Sequence, residues 1–461
     1  GLVDSSKCRK GKRMKRVGNL WNDFVSLKNA ELAVDNGTQN KRSDFVVRRK
    51  LGYDCPVPEQ QSTLDPAKVR KYAQKLVDSL KNDWKPSEMR HLVVKPIYGK
   101  KRNIDCPCLA DHIIHWMLMQ TIHDVVMRGM YEHSYGSIPG RGIDAARKTV
   151  EKWVRLDPKA KYFVKLDIRK FYENIDHDFL KADFRRIIKD PLMLDVIDKI
   201  IDCIPAGVPI GTYTSQWFAN FFLQPLDHHI KQDMCKLRRG KRTNWVAHDL
   251  RYMDDILLIG TSKRDLEKAV REIIRYCRDE RRLEVKQCWE IRRIAVNSDD
   301  KGPGIAPIDI VGYRFYRDHT EVRGAIFLHT SRLAARIEKR LRERGMVMLH
   351  DAEAVVSLVG WFEHADSKHF VDEYIKPKID ISFMEEVISY ASKNGIVGDA
   401  SVLYCHQRRG DGPYQVLRGC SRGAARRRCC LHSDDVGDVL SLAGELEPED
   451  PARPGAVEGE G

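Results

Sequence analysis

Two short stretches of this chain carry apolar residues at strand spacing and end in acids. In Tyr162-Phe163-Val164-Lys165-Leu166-Asp167-Ile168, strand alternation puts Val164, Leu166 and Ile168 on one face. Phe163, Lys165 and Asp167 take the other face. Farther along, the apolar runs Trp245 to Met253 and Ile256 to Ile259 flank Asp254-Asp255, which predicts a hairpin with the acidic pair at its tip. Helical spacing appears over Asp65 to Leu80 and over Cys108 to Met130, the second through Ile113, Met117, Leu118 and Ile122. Trp21 to Val34 is weakly helical. Ser215 to Gln232 predicts a helix beneath the strands, and Lys263 to Arg278 one packed behind the hairpin. From Ser331 a helical run through Leu333, Ile337 and Leu341 is followed by Val355 to Phe362. Helices alternating with mainly antiparallel strands predict an α+β layer.

The acids change the picture because of where they fall. At a bend, two adjacent carboxylates approach one region, and such a pair invites a hard divalent cation. Alone, Asp254-Asp255 is also ordinary turn chemistry, and Asp167 is also a candidate helix N-cap. Together they match a specific need: nucleotidyl transfer uses carboxylates from separate strands to hold two metal ions roughly 3.5–4 Å apart.

Further motifs stand in a telling order. Lys95-Pro96-Ile97-Tyr98-Gly99-Lys100-Lys101-Arg102 comes first, then Ser134-Tyr135-Gly136-Ser137-Ile138-Pro139-Gly140-Arg141-Gly142. After Asp167 come Gly207-Val208-Pro209-Ile210-Gly211-Thr212-Tyr213-Thr214-Ser215-Gln216, Ala219-Asn220, Leu226-Asp227, the tetrad Tyr252-Met253-Asp254-Asp255, and Val311-Gly312-Tyr313-Arg314-Phe315. This series resembles the prokaryotic reverse transcriptases over roughly residues 15 to 385, with Ser137-Ile138 where that family has Phe-Arg. Its middle loop is similar to that of diversity-generating retroelements and of unclassified or defence-associated bacterial enzymes.

The resemblance implies a right-hand polymerase: a basic arm over 1–20, fingers over 21–159, a palm over 160–322, a helical thumb over 323–390 and a disordered tail over 391–461. It implies Asp167, Asp254 and Asp255 as catalytic residues, and these three with Ile168 around two magnesium ions, for which manganese can substitute. Lys95, Lys101 and Arg102 would clamp a triphosphate. Tyr172 would pack under the sugar and exclude a 2′-hydroxyl. Ile210, Gly211, Ser215 and Gln216 would lie under the nucleotide, and Gly312 and Tyr313 would form the primer grip. The implied partners are an RNA template, a DNA or RNA primer, deoxynucleoside triphosphates and an accessory protein.

Charge agrees with a polyanionic partner: 80 Lys plus Arg against 66 Asp plus Glu leave +14. Lys7, Arg9, Lys10, Lys12, Arg13, Lys15 and Arg16 concentrate it near the N-terminus, as an RNA contact or a disordered tail. Arg332, Arg336, Lys339, Arg340, Arg342 and Arg344 predict a basic helix face toward a template-primer duplex. No apolar run approaches the length of a membrane span, no signal-peptide pattern opens the chain, and the first residue, Gly1, suggests a start inside a longer reading frame or after trimming. The 12 cysteines lie mostly singly in apolar settings such as Cys203 and Cys277, which predicts reduced thiols and a cytoplasmic protein. Beyond Ser392 too few apolar residues recur to build a core. Cys405, His406, Cys420, Cys429, Cys430 and His432 there fit no zinc pattern.

Three readings follow: a reverse transcriptase, a maturase-like RNA-binding platform, and a phage-defence enzyme with protein-primed or template-independent synthesis. Ile210-Gly211 stands where many reverse transcriptases have Gln-Gly. Loss of that amide removes a polar contact beside the nascent pair, and missing polar contacts weaken discrimination more than missing methylenes. Low-fidelity copying is the expected result. Sequencing cDNA made in vitro by the parent and by Ile210→Gln checks it: the parent should show the higher error rate, and equal rates would dispose of the idea.

Overall fold

The computed structural model describes residues 15–42, 44–54, 63–94, 102–238, 240–393, 402–405 and 416–418. The chain opens with α1 (Trp21–Phe24), α2 (Leu27–Thr38), α3 (Phe45–Leu51) and α4 (Pro66–Lys81). The weak helical signal from Trp21 is a broken one because Ser26 caps α2, accepting at Oγ from the Asn29 N–H at 3.1 Å. Asp65 caps α4 in the same way, with Pro66 at its first position. Next come the hairpin β1 (Arg90–Val94) and β2 (Arg102–Cys106), then α5 (Leu109–Met127) capped by Cys108, β3 (Ser134–Tyr135) and α6 (Ile143–Leu156). Of the expected basic arm, residues 1–14 lie outside the described residues. Val17 is docked: its N–H donates to the Ile187 carbonyl and its carbonyl accepts from Lys189, both at 2.8 Å.

The middle of the chain builds a layered unit. It runs through β4 (Tyr162–Asp167), α7 (His177–Ile187), α8 (Pro191–Ile201), α9 (Tyr213–Gln232), the small hairpin β5 (Cys235–Arg238) and β6 (Lys241–Asn244), then β7 (His248–Tyr252), β8 (Asp255–Gly260) and α10 (Lys263–Arg281). With β9 (Arg292–Ile294) and β10 (Ile305–Ala306) the strands form a six-stranded sheet in the order β10-β9-β4-β8-β7-β3. The two central pairings, β4 with β8 and β7 with β8, are antiparallel. Alternation along β4 and β8 gives the sheet two apolar faces. Val164, Leu166, Ile168, Ile256 and Leu258 join a core with α5, α9 and α10. Phe163, Leu250, Leu257 and Ile259 join a second core with α6 and the C-terminal elements. The class is α+β, as the periodicities predict.

Those C-terminal elements are β11 (Ile308–Ile310), β12 (Tyr313–Phe315), β13 (Thr320–Val322), α11 (Gly324–Arg344), β14 (Met346–Met348), α12 (Leu349–Glu363), α13 (Ile381–Lys393), β15 (Val402–Cys405) and β16 (Val416–Arg418). The last two strands extend from β14 in an antiparallel sheet. The rest of the predicted tail, with His406, Cys420, Cys429, Cys430 and His432, lies outside the described residues. Among the described residues no helix is long and apolar enough to cross a membrane. The basic face expected on α11 is partly committed inside the protein. Arg336 and Arg340 both pair with the buried carboxylate of Asp351, the first at 2.6 Å. An unpaired carboxylate there would be costly, so these two cations serve the fold before any external anion.

Gly312 turns the chain between β11 and β12 at φ +85°, the left-handed region that favours glycine. An added Cβ would overlap the ring of Trp361. Tyr313, next in line, is 3% exposed and donates its hydroxyl to the Trp361 carbonyl at 3.2 Å. Gly312→Ala should therefore lose about 2–4 kcal/mol, from the left-handed backbone and from displacing the indole. Urea unfolding followed by tryptophan fluorescence measures this, and a loss below 1 kcal/mol would contradict the packing described.

Candidate active site

Strand register brings the acids together. Asp167, last residue of β4, lies directly opposite Asp255, first residue of β8, and Asp255 in turn opposes Tyr252 across the hairpin. The Asp167 carbonyl accepts from the Lys286 N–H at 2.9 Å, and the Arg169 N–H donates to the Glu284 carbonyl at 2.8 Å. The Asp167 main chain is thus directed away from β8. That makes Asp167 and Asp255 a non-hydrogen-bonded pair, the closer kind, with Cα atoms about 4.5 Å apart and side chains on one face. By the same alternation Ile168, which bridges Val285, turns its main-chain groups toward the hairpin side. Met253 and Asp254 form the two-residue tip, with Met253 at φ +57°. A bulky residue in the left-handed region is strained, and something must hold it.

The acids feel one another. Burial raises the Asp254 carboxyl above the usual range, and the charges of Asp255 and Asp167 raise it further, while Lys286 pulls the other way. Burial also raises Asp255, Asp167 adds to the effect, and Lys165, Arg323 and Lys286 oppose it. The Lys286 ammonium sits 2.7 Å from Asp167 Oδ1. Among the described residues no three acidic, His or Cys side chains are already drawn to metal-holding distance. What is present is a set of carboxylates whose mutual repulsion favours a cation, with a lysine ammonium standing in for one. The donor set suits a hard divalent ion.

Arg251 holds the tip, and the pattern of the sequence did not single it out. Its guanidinium is 2% exposed. Nε and Nη2 donate to the two oxygens of Asp227 at 2.8 and 2.7 Å, and Nη1 donates to Asn220 Oδ1 at 3.0 Å and to the Met253 carbonyl at 2.9 Å. Ser134 Oγ donates to Asp227 Oδ2 at 2.7 Å, and Asn220 Nδ2 donates to the Gly136 carbonyl at 2.9 Å. One cation therefore joins β3, α9 and the strained turn. A signal existed: Asp249 and Arg251 are charged residues two apart on one face of a strand that lies inside a long run before the acidic pair, and Asn220 and Asp227 lie seven apart on one face of α9. Asp249 lies near this network, where burial pushes its carboxyl up to about 7.

The other candidate positions divide. Tyr172 lies in a short helical turn five residues after Asp167, half-buried and edge-on to Phe171, and its carbonyl accepts from the Val208 N–H at 2.8 Å. Ile210 is half-buried, and its carbonyl accepts from the Asp105 N–H at 2.7 Å, which docks the middle loop onto β2. Gly211, at φ +120°, lets that loop approach Ile104 and Asp105. Ser215 is buried with its hydroxyl 2.6 Å from Thr212 Oγ1, whereas Gln216 is exposed. Val208 and Ile210 help line a pocket of about 370 Å³ shared with Leu92, Val93 and Glu173. Lys95 and Lys101 lie outside the described residues, and Arg102 is described only as part of β2. Tyr313 is enclosed against Trp361, so it supports its turn from within.

Removing one partner of a buried pair leaves a naked charge, at about 3–5 kcal/mol, whereas an apolar replacement of both partners is often tolerated. Arg251→Met should lose about that much stability in urea unfolding, and a second change, Asp227→Leu, should recover most of it. Amide hydrogen exchange at Met253 and Asp254 should stay faster in the double variant, because the Met253 carbonyl still lacks its donor. Full recovery of both would contradict the hold of Arg251 on the tip.

Comparison with known proteins agrees with this geometry. Residues 85–287 match the family model described as reverse transcriptase (RNA-dependent DNA polymerase). The chain is 23% identical over 227 residues to protein YkfC of Escherichia coli, covering 42% of this chain and 59% of that protein. It is 25% identical over 232 residues to the group II intron-encoded protein LtrA of Lactococcus lactis, covering 47% and 38%. The retron Ec73 reverse transcriptase of Escherichia coli is 25% identical over 254 residues, covering 52% of this chain and 74% of that protein. The chain thus spans little more than half of YkfC and well under half of LtrA. Residues 85–287, which contain both the Asp167 strand and the acidic hairpin, are thus similar to the reverse transcriptases, the retron and group II intron proteins among them.

Proposed function

We propose that this protein is an RNA-directed DNA polymerase that copies an RNA template from a DNA or RNA primer with deoxynucleoside triphosphates. The observation that carries the reading is the register that sets Asp167 opposite Asp255 with Asp254 at the adjoining tip. Residues 21–159, 160–322 and 323–390 then act as fingers, palm and thumb around that point. Asp167, Asp254 and Asp255, with the Ile168 main chain beside them, would hold two divalent cations, magnesium or manganese. When bound, such cations lower the pKa of the attacking primer hydroxyl and neutralise the departing pyrophosphate. The carboxylates fix where that charge is compensated, and Arg251 fixes the turn that carries two of them. Alignment and charge compensation are most of what this reaction asks of a protein.

The half-buried ring of Tyr172 supports a preference for deoxynucleotides, since a ring packed under the sugar would leave no room for a 2′-hydroxyl. The apolar side chain at Ile210, with its main chain tied to Asp105, supports error-prone copying as in diversity-generating retroelements. Asp254→Asn should lower extension of an RNA-templated primer by about 10²–10³-fold, the scale of losing one group that meets developing charge. RNA affinity in a filter-binding assay should stay within about threefold, because phosphate contacts made elsewhere dominate it. Undiminished extension by this variant would overturn the proposal.

A further inference from the structure

We infer that Lys286 is the resident counter-ion of the carboxylate site, which a divalent cation must displace from Asp167. The inference rests on the metal-binding reading proposed above and adds a residue to it. Lys286 follows α10 on the segment that bridges β4, and its own N–H is bonded to the Asp167 carbonyl. The main chain therefore holds this lysine beside that acid, and the ammonium reaches Oδ1 at 2.7 Å. Both side chains are partly open, 44% and 39% exposed, so the contact can break without unpacking the core. The same ammonium acts on Asp254 and Asp255, together with Lys165 and Arg323 on Asp255. Three carboxylates at the ends of the central strands repel, and a tethered cation relieves that repulsion while no metal is bound.

Exchange has a cost in affinity. A site closed part of the time by its own lysine binds more weakly in proportion to the open fraction. A half-exposed ion pair is a modest competitor, so the penalty is small enough for millimolar magnesium to overcome. The released ammonium remains tethered at the edge of the site, within reach of the anionic groups that arrive with the metal.

The test uses manganese as the probe, in the full chain without nucleic acid. Lys286→Met should tighten Mn²⁺ binding by about fivefold in an electron paramagnetic resonance titration, the scale of one exposed ion pair. Lys286→Arg, which keeps the charge and reach, should stay close to the parent. Lys286→Met should also melt lower in chelator and gain more Tm on addition of Mn²⁺ than the parent does, a readout independent of activity. If the parent binds Mn²⁺ and loses binding in Asp255→Asn, but Lys286→Met binds no tighter, the counter-ion role is overturned while the metal site stands. If the parent binds no better than Asp255→Asn, the metal reading itself fails and takes this inference with it.

Discussion

Like charges do not gather of their own accord, and the central constraint on this protein is to keep three carboxylates together at one end of the central strands of a sheet. The register of β4 with β8 does the first part by setting Asp167 and Asp255 face to face. A turn with Met253 in the left-handed region adds Asp254. Neither arrangement is relaxed, since the acids repel and the turn is strained. The compensation lies one layer below, where Arg251 satisfies Asp227, Asn220 and the Met253 carbonyl together. A rigid, planar donor is suited to that task in a way a lysine is not.

Burial gives this arrangement its character. The Arg251–Asp227 pair is almost fully enclosed, so losing either partner would be expensive and the turn is fixed in consequence. Lys286 and Asp167, by contrast, are partly open to water, so their contact is weak and exchangeable. The site thus combines a rigid support with a labile occupant. The committed Arg336 and Arg340 on α11 teach a related lesson, because a basic helix face can be partly spent on one buried acid.

Much of this was legible in the chain. Alternation along Tyr162 to Ile168 gave the two faces of β4, and the apolar runs around Asp254-Asp255 gave the hairpin, with β8 beginning at Asp255 itself. The helices over Pro66–Lys81 and Leu109–Met127 start within a residue or two of expectation because Asp65 and Cys108 cap them. The rest depends on partners distant in sequence, which local periodicity does not encode. Arg251 meets Asp227 and Ser134, Lys286 meets Asp167, and Tyr313 meets Trp361 only once the layers are stacked. Gln216 and Ser215 are neighbours in one motif, yet helix geometry exposes the first and buries the second.

The most direct measurement is anomalous diffraction from crystals soaked in manganese with a primed template and a non-reactive nucleotide. Two anomalous peaks roughly 3.5–4 Å apart, ligated by Asp167 with Asp254 or Asp255 and with Lys286 withdrawn, are the predicted result. Peaks elsewhere, with Asp167 still held by Lys286 and no metal between β4 and β8, would contradict the account.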